Sequence, residues 1–307
     1  MIKLICIAGP TGSGKTALGI KIAEELNGEI ISADSMQIYK TMDIGTAKPL
    51  KKEKKGIPHH LIDIISPYDE FSVKEFTDMA KEIIEDIIKR GKTPVIVGGT
   101  GLFINSLIDN VSFSEGENDE KLREELTLLA KEHGNEYVHE MLKEFDYDSY
   151  LRLHPNNLKR VIRAIEIYKT TGITMTEQIK NSKNIPSPYD VYYFGLNAER
   201  SYIYERIDKR VDIMLENGLI DEVRNLYESG LDLKYKSMQA IGYKELIMYF
   251  EGKLTLEEAV DKIKQESRRY AKRQLTWFRR DERIKWIDIL KYPDSERQFD
   301  YIKDMLK

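Results

Sequence analysis

Gly9-Pro10-Thr11-Gly12-Ser13-Gly14-Lys15-Thr16 fits the pattern G-x-x-x-x-G-K-[ST]. Upstream, Ile2–Ala8 is a short apolar run that reads as a buried strand. Downstream, Leu18, Ile22 and Leu26 recur at helical spacing and predict a helix over residues 15–26, ending at Asn27-Gly28. A strand, a glycine loop and a helix in that order form a phosphate-binding loop. The glycines let backbone N–H groups converge on a polyphosphate, and the helix N-terminus adds a favourable dipole. Lys15 then reaches across the phosphates and the Thr16 hydroxyl helps hold Mg²⁺.

Working outward, Ile30-Ile31 reads as a second strand, breaking at Ser32-Ala33-Asp34-Ser35. Phe76, Ala80, Ile83, Ile84 and Ile87 mark an amphipathic helix over Val73–Lys89, and residues 94–97 form another apolar strand ending at Gly98-Gly99. Strands alternating with helices predict an α/β core, a P-loop NTPase-like parallel sheet flanked by helices. From residue 111 the texture changes to charged, helical periodicity, with stripes at Leu122, Leu126, Leu129 and at Leu158, Ile162, Ile165. Strand character returns only at Val191-Tyr192-Tyr193-Phe194, after a two-proline linker over 183–189. The expected organisation is a catalytic core of 1–110 plus 191–307, interrupted by a helical insertion domain of 111–190. The region after Arg200 is expected to be mostly helical, with Ile203, Ile207, Val211 and Leu215 on one face.

Composition excludes several classes. The 307 residues carry 48 Lys+Arg against 52 Asp+Glu, a formal net charge of -4, which argues against indiscriminate polyanion binding. No apolar run approaches the ~20 residues of a membrane helix. Cys6 is the one cysteine, so neither a disulfide framework nor a multi-thiolate zinc site is available. Ile2–Ala8 is too short for a signal-peptide core and leads straight into the glycine loop, so a cytoplasmic protein is expected. The five histidines have no compact metal-ligand spacing beyond the pair His59-His60, which reads as packing near the rim of a site. A local basic face is nonetheless present. Residues 264–285 hold nine Lys/Arg against three acids, a net +6, with Tyr270, Trp277 and Phe278 interleaved. Such a stripe suits phosphate contact and base stacking, although for Trp277 and Phe278 core packing is the favoured reading.

Asp34 follows the carboxyl end of a strand, where open α/β sheets bind ligands. It reads as a base near a reacting centre, as the metal-holding Asp of a P-loop enzyme, or as a turn or helix cap. The residues alone leave these open.

Four strings occur in order: Gly9 to Thr16; Ser32-Ala33-Asp34-Ser35-Met36-Gln37-Ile38-Tyr39; Asp43-Ile44-Gly45-Thr46-Ala47-Lys48-Pro49; and Val97-Gly98-Gly99-Thr100-Gly101-Leu102. They continue with His59-His60-Leu61, His154-Pro155-Asn156-Asn157, Arg160 to Glu166, Gly242-Tyr243-Lys244-Glu245 and Tyr270 to Arg279. Over nearly the whole chain this resembles the tRNA dimethylallyltransferases (tRNA isopentenyltransferases). The resemblance implies transfer of a dimethylallyl group from dimethylallyl diphosphate to N6 of adenosine 37 in tRNA, by a monomer using Mg²⁺. It implies that Gly9, Pro10, Thr11, Gly12, Ser13, Gly14, Lys15, Thr16 and Arg210 hold the donor diphosphate, and that Asp34 orients or deprotonates the N6 amine. It further implies tRNA contacts at Asp34, Ser35, Met36, Gln37, Thr100, Arg123, Asn156, Asn157, Leu158, Lys159 and Arg160. Others follow at Gln239, Ala240, Ile241, Gly242, Tyr243, Lys244, Lys272, Arg273, Gln274, Thr276, Trp277 and Arg279. Ser267 stands where the family usually has Thr, which keeps the hydroxyl, and a zinc-finger extension found in some eukaryotic relatives is not expected. Two other readings use the same loop. A small-molecule P-loop kinase leaves the insertion and the basic stretch unexplained. A prenyltransferase acting on AMP or ATP generally lacks the insertion and has Lys where this chain has Ser35. A regulatory GTPase would need an Asn-Lys-x-Asp tetrapeptide, which the chain lacks.

Overall fold

The computed structural model describes residues 1–111, 119–183 and 186–306. Two compact units result, Met1–Leu107 with Tyr189–Lys307, and Ile108–Pro188. Their borders lie within three residues of the 111 and 190 expected from the change in texture. Residues 112–118, and residues 184–185 of the expected linker, lie outside the described residues.

The first unit is built on six parallel strands: β1 Ile2–Ala8, β2 Gly28–Ser32, β3 His59–His60, β4 Thr93–Val97, β5 Tyr189–Asn197 and β6 Lys285–Asp288. Their order across the sheet is β3-β2-β4-β1-β5-β6. Leu4 to Ala8 of β1 are wholly buried, as expected for a central parallel strand covered on both faces. Helices α1 Lys15–Glu25, α2 Val73–Lys89 and α3 Gly101–Ile108 follow β1, β3 and β4. A capping box starts α2: Ser72 Oγ accepts from the Glu75 N–H at 3.1 Å, and Glu75 Oε2 accepts from the Ser72 N–H at 2.7 Å. Phe76, Ala80, Ile84 and Ile87 are fully buried along its sheet-facing side.

Two strands depart from expectation. β3 is only two residues long, too short to leave a pattern, and β6 (Lys-Trp-Ile-Asp) lies in a stretch expected to be helical. Ile287, fully buried against the core, explains why β6 forms despite its charged flanks.

The second unit packs α4 Glu120–His133, α5 Asn135–Glu140, α6 Tyr147–Arg152, α7 Leu158–Thr171 and α8 Met175–Lys183. Its core takes Leu126 and Ala130 from α4, Val138 from α5, and Val161, Ile162, Ala164 and Ile165 from α7, with Leu122, Leu129 and Leu158 packed at its margin. The two apolar stripes are thus its inner faces.

After β5 the first unit resumes with α9 Arg200–Glu216, α10 Leu219–Glu228, α11 Tyr243–Phe250, α12 Leu256–Phe278 and α13 Ser295–Ile302. Ile203, Ile207 and Val211 of α9 are buried, and Leu215 is half-buried. Ion pairs Arg268–Asp208 (2.5 Å) and Lys264–Asp212 (2.6 Å) show that α12 runs antiparallel to α9. No helix among the described residues is long and apolar enough to cross a membrane.

Candidate active site

The glycine loop leaves β1 through Gly9, at φ 146, where an added Cβ would sit 2.7 Å from the Leu196 carbonyl. Gly12 and Gly14 are left-handed, at φ 82 and 93, a conformation glycine adopts without penalty. Lys15 Nζ donates to the Pro10 carbonyl at 2.8 Å, folding the side chain back over the loop. The Ser13 hydroxyl is buried without a hydrogen-bond partner among the described residues.

Two side chains from distant segments brace this loop. Arg206 of α9 donates through Nε to the Gly12 carbonyl at 2.8 Å. Gln274 of α12 accepts from the Thr11 N–H at 2.8 Å and donates to the Gly99 carbonyl at 3.0 Å. Arg210 lies one turn beyond Arg206, so the two cations share a helix face. Burial and the charge of Arg206 hold the Arg210 guanidinium below its ordinary pKa. Lys15 is lowered to about 7, first by removal from water and then by Arg210, while Asp34 opposes the shift. This is a site rich in positive charge and short of anions.

Asp34 is set by the sheet. The Ala33 N–H donates to the Val97 carbonyl at 2.8 Å and the Thr100 N–H to the Ala33 carbonyl at 3.1 Å. Gly98 permits that approach, since a Cβ there would meet the Ala33 oxygen at 2.1 Å. Asp34 Oδ1 accepts from the Met36 N–H at 2.9 Å, an Asx turn, and the Ser35 N–H donates to Thr100 Oγ1 at 3.0 Å. The turn role read from sequence is therefore filled by one carboxylate oxygen, while Asp34 still lines the cavity.

That cavity, about 370 Å³, brings together Thr11, Lys15, Thr16, Asp34, Ser35, Met36, Gln37, Arg210, Arg273 and Gln274 with Gln239, Ala240, Ile241 and Gly242. Tyr270 and Ser267 of α12 line it too, as do His59 and the segment Gly45-Thr46-Ala47. Thr100 stands behind, holding Ser35. His59 donates through Nδ1 to the Ile57 carbonyl at 2.8 Å, and burial holds its pKa below the ordinary value.

Other expected contacts lie elsewhere. Tyr243 is fully buried, its hydroxyl donating to Glu222 at 2.6 Å, whereas Lys244 is exposed. Lys272, Arg273, Thr276 and Trp277 line a shallow outer hollow with Arg269 and Arg280, and Arg279 is exposed beside it. Trp277 is half-buried: its indole N–H donates to Asn105 at 3.2 Å and its ring covers Gly101. Phe278 is core. In the helical unit, Asn156, Asn157, Lys159 and Arg160 are exposed at the start of α7, with Leu158 turned partly inward. Arg123 is engaged inside that unit, where the wholly buried Glu166 takes Arg123 at 2.8 Å and Arg163 at 2.6 Å. Sequence reasoning missed Arg206 and Glu222. The four-residue spacing to Arg210 could have exposed Arg206, while nothing local distinguishes Glu222.

A glycine loop bearing a lysine, two arginines on the next helix layer, and a carboxylate across one cavity define a phosphate-site transferase of P-loop-like α/β fold. The IPP transferase family matches residues 37–281. Among solved structures, the full-length tRNA isopentenylpyrophosphate transferase of Bacillus halodurans is 44% identical, with 100% of this chain and 97% of that one covered and a TM-score of 0.74. The tRNA delta(2)-isopentenylpyrophosphate transferase of Staphylococcus epidermidis is 46% identical, with 100% and 99% covered and a TM-score of 0.74. A eukaryotic dimethylallyltransferase acting on tRNA is 32% identical, with 99% and 80% covered and a TM-score of 0.84. The chain belongs to the IPP transferase family, the tRNA prenyl transferases.

Proposed function

We propose that this chain moves a dimethylallyl group from dimethylallyl diphosphate to N6 of adenosine 37 in tRNA, acting as a cytoplasmic monomer. The observation that carries this reading is the single cavity holding Lys15, Thr16 and Arg210 together with Asp34. Cations and loop amides suit the donor diphosphate; the carboxylate suits an amine nucleophile.

In the transfer, the allylic C1–O bond breaks and the electron pair leaves with diphosphate, while the N6 lone pair forms the new C–N bond to C1. Lys15, Arg210 and the loop N–H groups are preorganised for the charge that gathers on the leaving oxygens. The adenine amine is a weak nucleophile, its lone pair delocalised into the ring, so it must be placed against C1. Asp34 takes the proton that N6 sheds as it becomes cationic. Adenosine 37 has to leave the loop stack to reach the cavity, at a cost of a few kcal/mol. The exposed residues of α12 and of the α7 start are the surfaces we assign to tRNA.

Mg²⁺ fits the donor set. No group of three His, Cys, Asp or Glu suited to a metal occurs among the described residues. Thr16 brings a hydroxyl oxygen to the cavity, and Mg²⁺ usually takes few protein ligands, completing its shell with substrate phosphates and water. Bound there, it would neutralise charge on the diphosphate.

The test offers labelled dimethylallyl diphosphate and Mg²⁺ to the protein with tRNA bearing adenosine 37, the same tRNA lacking it, AMP and ATP. Label only in the first tRNA is the expected result. Label in AMP or ATP replaces the acceptor, and phosphate transfer from ATP without label replaces the reaction.

A further inference from the structure

Glu222, in the first turn of α10, places its carboxylate beneath the segment 43–47. Its Oε2 accepts from the backbone N–H groups of Asp43 (2.9 Å) and Ile44 (2.7 Å). Its Oε1 accepts from the Gly45 N–H (3.1 Å) and from the Tyr243 hydroxyl (2.6 Å). The Tyr243 ring lies so close on Gly45 that a Cβ there would be 2.5 Å from a ring carbon. The next two residues continue the connection. Carbonyls of Thr46 and Ala47 accept from Gln37 Nε2 at 3.2 and 3.4 Å, and Gln37 Oε1 accepts from Ser32 Oγ at 3.1 Å. Ser32 and Gln37 bracket Asp34. A bonded path therefore runs from Glu222 to both ends of the segment that presents the cavity carboxylate.

We propose that Glu222 is a positioning residue for the transfer, fixing the Gly45-Thr46-Ala47 part of the cavity wall and, through Gln37, the placement of Asp34. It touches no substrate, and the proposal rests on the reading of this cavity as the transfer site. A carboxylate is required because four donors converge on two oxygens, and glutamine turns one of those oxygens into a donor facing another donor. Lys15, Thr16 and Arg210 are set by α1 and α9, outside this path. Diphosphate binding is accordingly independent of Glu222, while catalysis depends on it.

Glu222→Gln and Tyr243→Phe, made in the full chain, test this through three readings: turnover on adenosine-37 tRNA, calorimetric affinity for dimethylallyl diphosphate, and thermal melting. Glu222→Gln should lower kcat/KM for tRNA by ~10-fold or more, since displacements of about 1 Å at a reacting centre cost up to ~10²-fold, with donor affinity unchanged. Tyr243→Phe should give a smaller loss in the same direction. Adding Glu222→Gln to Gln37→Ala should cost little beyond Gln37→Ala alone, because residues acting through one bonded segment are non-additive. A merely structural brace would give additive losses, or equal losses in donor affinity, and either overturns the proposal. So does wild-type turnover in a folded Glu222→Gln. If Glu222→Gln does not fold, Tyr243→Phe with Gln37→Ala carries the same comparison. Wild-type protein that labels no tRNA would instead sink the functional reading, an outcome distinct from active wild type indifferent to Glu222.

Discussion

Gln274 Oε1 accepts the backbone N–H of Thr11 at 2.8 Å, fastening the long C-terminal helix α12 to the crown of the phosphate loop. The same amide donates to Gly99 at the end of β4, and Gln274 is only 5% exposed. One side chain thus joins three segments that line a single cavity. Gln274→Ala would leave a donor and an acceptor unpaired, at about 1–3 kcal/mol for each buried group. We expect a lower chemical-denaturation midpoint together with weaker binding of dimethylallyl diphosphate by calorimetry. Unchanged donor affinity would show that the loop holds its shape without this tie.

Asp34 carries two roles that one substitution separates. Asn keeps an oxygen for the Met36 N–H, and so keeps the turn, but cannot take a proton at neutral pH. Asp34→Asn should therefore reduce turnover by ~10²-fold or more, the range for a lost general base, with donor binding and melting close to wild type. Near-normal turnover would remove Asp34 from the chemistry and leave it the turn alone.

Lys15 should make donor binding pH-dependent. With its pKa lowered to about 7 by burial and by Arg210, a large fraction of the free protein carries a neutral amine at pH 8. A diphosphate favours the ammonium, so binding at pH 8 should take up protons, and affinity should fall as pH rises through 7. Calorimetry in two buffers of different ionisation enthalpy measures the uptake, and Lys15→Met, compared under the same conditions, should lack this share of it. Stability follows the same linkage. Below pH 7 the amine is charged in folded and unfolded chains alike, and the folded state bears the full burial cost. Between about 7 and its ordinary 10.5 the unfolded chain holds more protons, so this group's contribution to stability rises with pH. Lys15→Met should gain most over wild type at or below pH 7.

The phosphate loop, β1, α1, α2 and the location of Asp34 were readable because each depends on local pattern: glycines at fixed spacing, apolar periodicity, a strand end. Other features depend on partners far along the chain. Glu222 looks like any acid on the outer face of an amphipathic helix until the fold brings Asp43 to Gly45 over it. Arg123 is expected at tRNA from the resemblance alone, and nothing near it in the sequence announces the wholly buried glutamate 43 residues away that engages it. Gln274 sits in a basic run and is expected at RNA from the resemblance; that its side-chain oxygen and nitrogen bond Thr11 and Gly99 is set by the fold and not by its neighbours in sequence. Strands β3 and β6, two and four residues long, are too short for periodicity to register.

The outer face of α12 supplies the last expectation. Arg269, Lys272, Arg273 and Arg280 surround the half-buried Trp277, and the fixed indole offers a ring amid cations. Lys272 and Arg280 are exposed and line only this hollow and its neighbour, not the cavity of Asp34. Replacing both by Ala should leave the transfer step and donor affinity unchanged while weakening tRNA binding. Each phosphate left without its cation should reduce the slope of log K against log salt by about 0.7–0.9, so the double variant should flatten it by up to ~1.8. A titration of tRNA binding from low to moderate salt reads this directly. A uniform loss of affinity with an unchanged slope would mean the two side chains pack or stack rather than meet phosphates. No loss at all would move the RNA backbone off this helix.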